Sequence, residues 1–598
     1  MITIQDYVYR MRGFAGKPFI SWNEGGTGAS IDFGQAAEIV NSYSKGFLEL
    51  GLLPGDRVAV FSDNIPEWIL IVLGINNAGL VDVPRGENSD EEEIRYIIEH
   101  SRSRLVIAAD ETIAKKAAKY AHSQVLGLYT VKKAIGLKHV SEISGIGAIS
   151  NVKIPLVSGS SSCSIIYTSG STGAPKGVEL SHYNFTENAE ACTRAIKINS
   201  ADKFLSILPA WHAFERMVKL FALSRGCETF YSSPKTLLRD LKEQEPTIVA
   251  SVPRVWEAVY SAVMRKAGER GKLRKAVFEF GVKSIIDSEK NKKAFHTSRL
   301  IGPLVKPYFD KKVFSEIRAQ LGGRFRYGVS GGSKLPAHID DFFAAAGIEL
   351  IEGYGLTETS PVLAARRPGS AALYTVGPLL DNVSGRIIDH ETGKEMPAGC
   401  EGILYVKGPN VMKGYYRDYE NTRKVLDGEG WLDTGDRGYF DPAGNLVITG
   451  REKDIVVLSN GENVNPVKIE ERLAKSEFIE SILITGHDWK HIGALIVPHF
   501  EKLKVWCLAA GVKYNEENLT LTLTEPQVRE LFRQEIRNYI NPKEGFKEYE
   551  LVREFRLLPE SFLVGRELTA TLKMKRRVIV EIYSEYVKNM GERVNKVL

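Results

Sequence analysis

Three glycines, four hydroxyl side chains and one lysine are packed into Tyr167-Thr-Ser-Gly-Ser-Thr-Gly-Ala-Pro-Lys-Gly-Val178, directly after an apolar run. That composition suits the holding of polyphosphate. Gly170, Gly173 and Gly177 reach backbone angles closed to other residues, so their N–H groups can converge on an anion. Thr168, Ser169, Ser171 and Thr172 add hydroxyl donors, and Lys176 adds a mobile charge. No glycine directly precedes Lys176 and no Ser or Thr directly follows it, so the segment is not the phosphate loop of the P-loop NTPases. A Gly/Ser/Thr-rich stretch is more often a plain flexible connection. Here the flanks Ile165-Ile166-Tyr167 and Val178-Glu-Leu180 predict two short strands joined by a phosphate-sized loop.

Four further segments carry residue types fit for chemistry. Leu208-Pro-Ala-Trp-His-Ala-Phe-Glu-Arg216 gathers a histidine, two large aromatics and a Glu/Arg pair, although His212 taken alone reads as structural. In Ser330-Gly331-Gly332, a glycine pair at the end of a strand admits a flat ligand close to the backbone. Within Glu352-Gly-Tyr-Gly-Leu-Thr-Glu-Thr-Ser-Pro361, Tyr354 can stack a base, Thr357 can donate to a phosphate and Glu358 can hold a hard cation. Gly430-Trp-Leu-Asp-Thr-Gly-Asp436 brings two carboxylates into a turn, and Asp436 can accept from both hydroxyls of a ribose. Each is an ordinary loop by itself. In this order, after a phosphate loop, they support one another.

The elements that must position these loops alternate between strand and helix. Arg57–Phe61 predicts a buried strand, Pro66–Ala78 a helix, Leu80–Val83 a strand and Arg104–Ala108 another. Ser89 with Glu92 reads as a capping box opening a helix with Ile94, Ile97 and Ile98 on its apolar face. Phe204–Val252 repeats the pattern, with Thr247–Val252 as its strand. Such alternation means crossover units and a mostly parallel sheet covered by helices. After about residue 376 the texture turns to short strands at Gly385–Ile388, Gly402–Val406 and Asn445–Ile448, and from Lys453 it becomes mixed and highly charged, with a helix at Pro526–Ile540. The expected organisation is α/β: N-terminal α/β subdomains over 1–375, a β-rich subdomain over 376–452 and a small α+β C-terminal domain over 453–598.

Composition narrows the class. At 598 residues the chain exceeds a single core, and 43% hydrophobic with 26% charged residues describes an ordinary globular protein. Five scattered cysteines with no C-x-x-C pair argue against a zinc site or a disulfide framework and for a reducing compartment. The first residues show no signal peptide, and the longest apolar run, Trp68–Leu73, is far too short to span a bilayer. A cytoplasmic protein is the expectation. Net charge is +5, yet Arg265–Arg326 alone holds 17 Lys/Arg against 6 Asp/Glu, leaving the remainder net acidic. Beside the plain reading of a solvated helical face, that segment suits anionic lipid headgroups at a membrane surface, or an acidic carrier protein. Aromatics able to stack bases are sparse there, so nucleic acid is not expected.

Taken together, these motifs resemble the adenylate-forming superfamily of acyl-CoA synthetases, peptide adenylation domains and luciferases. The resemblance rests on YTSGSTGAPKGV at 167–178, EGYGLTETSP at 352–361, GWLDTGD at 430–436 and GREKD at 450–454. Within the superfamily, LPAWHAFER at 208–216, LSNGENVNPVKIE at 458–470 and ELTATLKMKRRV at 567–578 look like the long-chain fatty acid branch. The resemblance implies two half-reactions: a carboxylate attacks the α-phosphate of Mg-ATP to give acyl-adenylate and pyrophosphate, then a thiol attacks and releases AMP. It implies a large N-terminal region of two helix-covered sheets plus a β-rich subdomain, carrying a small mobile C-terminal domain. Mg²⁺ is the implied cofactor, with ATP and CoA as co-substrates.

Carried over by motif, Ser169 to Lys176 would hold the β- and γ-phosphates, with Thr168 at the loop's start. Thr357 would contact the α-phosphate, and Glu358, with Thr172, would bind Mg²⁺. Tyr354, Gly355, Gly331 and Gly332 would bracket adenine, while Asp436 with Arg451 would take the ribose. His212, Trp211 and Gly353 would sit near the acyl carboxylate, and Lys453 would be the hinge. Many relatives have Gly-Lys where this chain has Leu572-Lys573; aligned on the lysine, Lys573 would bridge the carboxylate and the α-phosphate. Lys575, Arg576 and Arg577 nearby leave a second register open, and a basic surface strand is the plain reading of that cluster. VDVPRG at 81–86, the acidic run Glu87–Glu93 and NGENV at 460–464 also look like acyl-[acyl carrier protein] synthetases, which differ in the acceptor thiol. CoA is the favoured acceptor. A non-catalytic nucleotide- or acyl-binding scaffold would have no physical need for Lys176, Glu358, Asp436, Arg451 and Lys573 together. Some family members are homodimers.

Overall fold

The computed structural model describes residues 2–121, 125–168, 175–269, 278, 280–287, 303, 306–370, 372–569 and 572–596. The chain divides into two compact units: Met1–Arg386, Tyr405–Thr434 and Phe440–Val447 in the first, Ile387–Leu404, Gly435–Tyr439 and Ile448–Leu598 in the second.

Two eight-stranded sheets organise the first unit. One runs, edge to edge, Val362–Ala365, Glu349–Gly355, Tyr327–Ser330, Ile248–Ser251, Lys203–Ser206, Glu228–Tyr231, Pro18–Glu24 and Thr27–Asp32. The other runs Gly414–Tyr415, Lys176–Ser181, Ser162–Thr168, Val81–Arg85, Arg57–Phe61, Leu105–Ala108, Gly127–Thr130 and Lys138–His139. The inner strands of both are parallel, as the alternating pattern requires, and the hairpin flanking the phosphate loop is antiparallel. The helix Glu91–Ser101 lays Ile94, Ile97 and Ile98 on the second sheet against Phe61, Val83 and Val106. Its cap is Asp90, not Ser89: the Asp90 side chain accepts from Glu93 N, while the Ser89 hydroxyl donates to Gly86 O at 2.9 Å. The apolar run Trp68–Leu73 lies in the helix Pro66–Asn77, which is buried on every face from Trp68 onward.

Within the first unit, helix and strand are also joined by charge. Arg216, on the helix Ala213–Ser224, donates to Asp82 Oδ2 and Oδ1 at 2.5 and 2.8 Å and to Ser164 and Asn76 at 2.8 Å. Asp82 and Ser164 stand opposite one another on the neighbouring strands Val81–Arg85 and Ser162–Thr168. All four side chains are buried, so each donor and acceptor must find its partner here.

The strands Ser384–Ile388, Gly402–Lys407, Leu432–Phe440 and Leu446–Arg451 form a four-stranded sheet, matching the β-rich texture after residue 376. In the second unit a three-stranded sheet, Ile479–Thr485, Gly493–Pro498 and Glu554–Leu557, carries an apolar cluster on each side. The helix Pro526–Tyr539 contributes Val528, Phe532 and Ile536 to one of them. Among the described residues no helix is long and apolar enough to cross a membrane.

Candidate active site

The hairpin Ser162–Thr168 and Lys176–Ser181 pairs Tyr167 with Gly177 and Thr168 with Lys176, so the loop between them leaves from one point and returns to it. Ser169, Gly170, Ser171, Thr172 and Gly173 lie outside the described residues. Both ends are clamped: Arg85 donates to Tyr167 O at 3.1 Å, and the Tyr96 hydroxyl donates to Pro175 O at 3.1 Å. Tyr167 is fixed in turn, its hydroxyl 2.7 Å from His100 Nδ1. Burial holds that phenol well above its ordinary pKa, so it stays protonated.

Lys176 is brought to Glu358 through a residue that the motifs did not single out. The strand Gly414–Tyr415 pairs antiparallel with the hairpin, setting Tyr415 beside Val178. The Lys176 ammonium lies 4.8 Å from the centre of the Tyr415 ring, and the Tyr415 hydroxyl donates to Glu358 Oε1 at 3.0 Å. Burial, and then the Glu358 charge, keep that phenol protonated. Thr357 and Glu358 stand on a 3₁₀ turn, Thr357–Thr359. Asn410 pins it by donating to Thr359 O at 2.9 Å, and Met412 N donates to Glu358 O at 2.8 Å. Gly355 opens the turn because nothing larger fits: a Cβ there would stand 1.6 Å from Pro361 O. Gly353 and Tyr354, half-buried, lie on the same strand end.

No group of three or more His, Cys, Asp or Glu able to hold a metal occurs among the described residues. Magnesium bound beside phosphates needs less, one or two carboxylates with phosphate oxygens completing an octahedron. The half-buried Glu358 carboxylate, oriented by the same Tyr415 that Lys176 lies over, fits that requirement.

The glycine pair and the histidine motif meet at Phe214. A Cβ on Gly331 would stand 3.0 Å from the Phe214 ring, and Gly332 has φ +86°, the left-handed region that favours glycine. His212 caps the helix Ala213–Ser224, its Nδ1 accepting from Phe214 N at 3.2 Å. That assigns the neutral ring proton to Nε2, which makes His212 both a cap and a donor. Trp211 is held by Asp63, which accepts from its indole N–H at 3.2 Å, and by Arg85, whose guanidinium lies 4.8 Å from the ring centre. Gly86 is tight against that ring, since a Cβ there would stand 2.7 Å from Trp211 Nε1. Arg85 therefore touches both Trp211 and the start of the phosphate loop.

The second unit carries the remaining candidates. Asp436, on the strand Leu432–Phe440, is 3% exposed and pairs with Arg451 Nε at 3.0 Å. Lys453 is exposed in the 3₁₀ turn Glu452–Asp454. Lys573 is exposed; Thr569 N donates to Lys573 O at 2.8 Å and Lys573 N donates to Thr569 Oγ1 at 3.0 Å. Leu572 sits at φ +62°, where an L side chain is strained and glycine is not. Its side chain packs against the apolar cluster of Leu483, Leu495 and Leu568.

Sequence reasoning did not single out Tyr415 or Asp63 and gave Arg85 and Phe214 no part of their own within the quoted segments; their contacts come from pairing and packing between segments far apart in the chain. The structure places Lys176 with Glu358, Gly331 with the histidine motif, and Asp436 with Arg451.

Residues 9–416 match the family described as AMP-binding enzyme, and residues 453–507 match its C-terminal domain. The Arabidopsis thaliana chloroplast protein named long-chain-fatty-acid–[acyl-carrier-protein] ligase AEE15 is 30% identical over 93% of this chain and 82% of its own length. The Mycobacterium bovis protein named long-chain-fatty-acid–CoA ligase FadD15 is 30% identical over 94% of this chain and 92% of its own. The crystal structure of ATP-bound MatB from Rhodopseudomonas palustris shares the fold at a TM-score of 0.73 and 21% identity, covering 98% of this chain and all of the other. The chain belongs to the AMP-binding, adenylate-forming enzyme family.

Proposed function

We propose that this protein activates a long-chain fatty acid with ATP and transfers the acyl group to the thiol of coenzyme A. The observation that carries the reading is the contiguous set of Lys176, Tyr415 and Glu358 at the mouth of the glycine-rich loop, in a chain whose relatives are named long-chain fatty acid ligases.

In the first half-reaction a fatty carboxylate oxygen attacks the α-phosphorus of ATP, and the bond to the pyrophosphate oxygen breaks. Lys176 and the loop residues Thr168 to Gly173 bind the β- and γ-phosphates. Thr357 donates to the α-phosphate, and Glu358 with Thr172 would hold Mg²⁺, which supplies charge neutralisation between the phosphates. Tyr354, Gly355, Gly331 and Gly332 enclose the adenine, and Asp436, steadied by Arg451, accepts from the ribose hydroxyls. His212 donates from Nε2 toward the fatty carboxylate, with Trp211 and Gly353 beside it, while Lys573 neutralises charge between carboxylate and α-phosphate. Contacts of this kind lower a barrier by several kcal/mol when they are fixed in advance. In the second half-reaction a thiolate sulfur attacks the acyl carbon and AMP leaves. The turn at Lys453 is the place where residues 454–598 would change orientation between the two steps.

A second reading replaces CoA by holo acyl carrier protein. It is favoured by the name of the Arabidopsis relative and by the basic segment 265–326, which would meet an acidic carrier or an anionic membrane surface. Much of that segment (270–277, 279, 288–302, 304 and 305) lies outside the described residues. The test is AMP release from the purified protein with Mg-ATP and palmitate, run in parallel with CoA and with holo acyl carrier protein. Release with CoA supports the first reading, and release with carrier protein alone supports the second. No AMP with either, and no palmitate-dependent pyrophosphate exchange, rejects both.

A further inference from the structure

The second unit sets an ion pair on each side of Lys453. Before it, Glu452 pairs with Arg437 at 2.8 Å. After it, Asp454 stands 3.6 Å from Arg576 Nε. Arg576 does more than meet Asp454: its Nη1 donates to Glu470 Oε1 at 2.9 Å and its Nη2 to Glu470 Oε2, a two-pronged pairing with a carboxylate that is itself 7% exposed. Glu470 Oε1 also accepts from Ile484 N at 2.7 Å, which anchors the fork to the three-stranded sheet. Arg576 opens the helix Arg576–Ile582 and follows Lys573 by three residues.

Chain connectivity alone cannot carry a turn at residue 453 to residue 573. More than a hundred residues intervene, in several separate elements. Packing links the two ends through one sheet, with Val456 and Leu458 in the cluster on one face and Leu568 and Leu572 on the other; Arg576 adds the direct polar link, joining Asp454, the last residue of the turn, to the helix that follows the Lys573 loop. We infer that Arg576 is a positioning residue that locks the Lys573 loop to the segment following Lys453, so that a change at the turn carries the lysine with it. The inference rests on the reading that Lys573 serves the adenylation step. The forked contact with Glu470 holds the loop to the unit's sheet, and the longer contact with Asp454 registers it against the turn. Such a lock acts on the step that needs Lys573 in place and not on the attack of the thiol.

The test uses full-length protein and two separate readouts. One is palmitate-dependent ATP–pyrophosphate exchange; the other is consumption of chemically prepared palmitoyl-adenylate, with CoA and holo acyl carrier protein run side by side. Arg576→Met is expected to lower exchange about tenfold to a hundredfold through kcat, the cost of a catalytic group displaced by about an ångström. The KM for ATP and the consumption of supplied adenylate stay within about twofold. Asp454→Asn, which leaves the Glu470 fork intact, shifts exchange in the same direction by a smaller factor at unchanged Tm. Arg576→Lys recovers part of the loss. If Lys573→Ala abolishes exchange while Arg576→Met and Asp454→Asn leave it unchanged, or lower both readouts together, the lock is overturned and the lysine assignment stands. If Lys573→Ala leaves exchange intact, the lysine assignment falls and the lock with it.

Discussion

The Tyr415 hydroxyl donates to the Glu358 carboxylate at 3.0 Å, and the same ring carries the Lys176 ammonium over its face at 4.8 Å. One aromatic side chain thereby aligns a cation and an anion from two motifs more than 180 residues apart. Lys176 would supply the cation to a phosphate chain bound at the loop, and Glu358 would be the carboxylate available to hold a metal there.

Tyr415→Phe separates these contributions, because it keeps the ring under Lys176 and removes only the donor to Glu358. A hydrogen bond to a charged group is worth about 1.5–3 kcal/mol. The expected outcome is a Mg-ATP requirement shifted upward by roughly tenfold to a hundredfold, read from initial rates across a magnesium titration. Glu358→Gln loses at least about a hundredfold in kcat at saturating magnesium, as removal of a charge-holding group does, and chelation of the metal abolishes the activity of the parent protein.

How far this site could be read from the chain depended on the range of the interaction. The phosphate hairpin was legible because its apolar flanks and glycines are contiguous. The turn expected around Asp433 and Asp436 is instead the strand Leu432–Phe440, with Gly435 at φ +65° inside it. Tyr415 was not, since nothing near it indicates that it pairs with Val178 and reaches Glu358. Local ambiguity produced the misplaced cap. Ser89 with Glu92 and Asp90 with Glu93 satisfy the same pattern one residue apart, and the choice fell to Asp90 once Ser89 had bonded to Gly86 O. The run Trp68–Leu73 shows no amphipathic period because its helix has no solvent face to spare.

Two lysines near the C-terminus are candidates for the bridging role. Lys575 donates to Gly565 O at 2.8 Å, and Lys573, two residues earlier, makes the contacts with Thr569. Lys573→Ala is expected to lower palmitate-dependent pyrophosphate exchange by about a hundredfold to a thousandfold, and Lys575→Ala by less than about tenfold. The reverse order would move the catalytic assignment two residues along the chain.

Leu572 holds a left-handed backbone at a cost of about 1–2 kcal/mol and recovers part of it by packing its side chain on the cluster of Leu483 and Leu495. Leu572→Gly is accordingly expected to change Tm by only a few degrees. Leu572→Val, which keeps apolar area but adds a β-branch to a strained position, is expected to be the more destabilising, a ranking that paired thermal scans check directly.

Acid should weaken the first unit through His182. The ring is fully buried at the start of the helix His182–Ala195, neither nitrogen has a hydrogen-bond partner, and burial, with Arg216 nearby, depresses its pKa to about 3. An unfolded histidine titrates near 6.5, so between that value and about 3 the unfolded chain binds the proton and the folded one does not. Stability is therefore complete above about pH 6.5 and is lost as pH falls, by about 2 kcal/mol at pH 5. His182→Leu should flatten this part of the pH–Tm profile, and an unchanged slope would remove His182 as its source.

The signature around residues 208–216 has a structural partner as well as a chemical one. Arg216 closes that motif and donates to Asp82, Asn76 and Ser164, and it lies 4.6 Å from the centre of the Phe185 ring. With the pair buried, removing one partner strands a charge in a poorly solvating interior, at a cost of about 3–5 kcal/mol. Arg216→Met and Asp82→Asn are each expected to lower stability by that amount in urea unfolding. The double variant Arg216→Met with Asp82→Leu removes both charges and should recover part of the loss. If the losses add instead, the two residues do not act as a pair, and the arginine is retained for something other than the charge it neutralises.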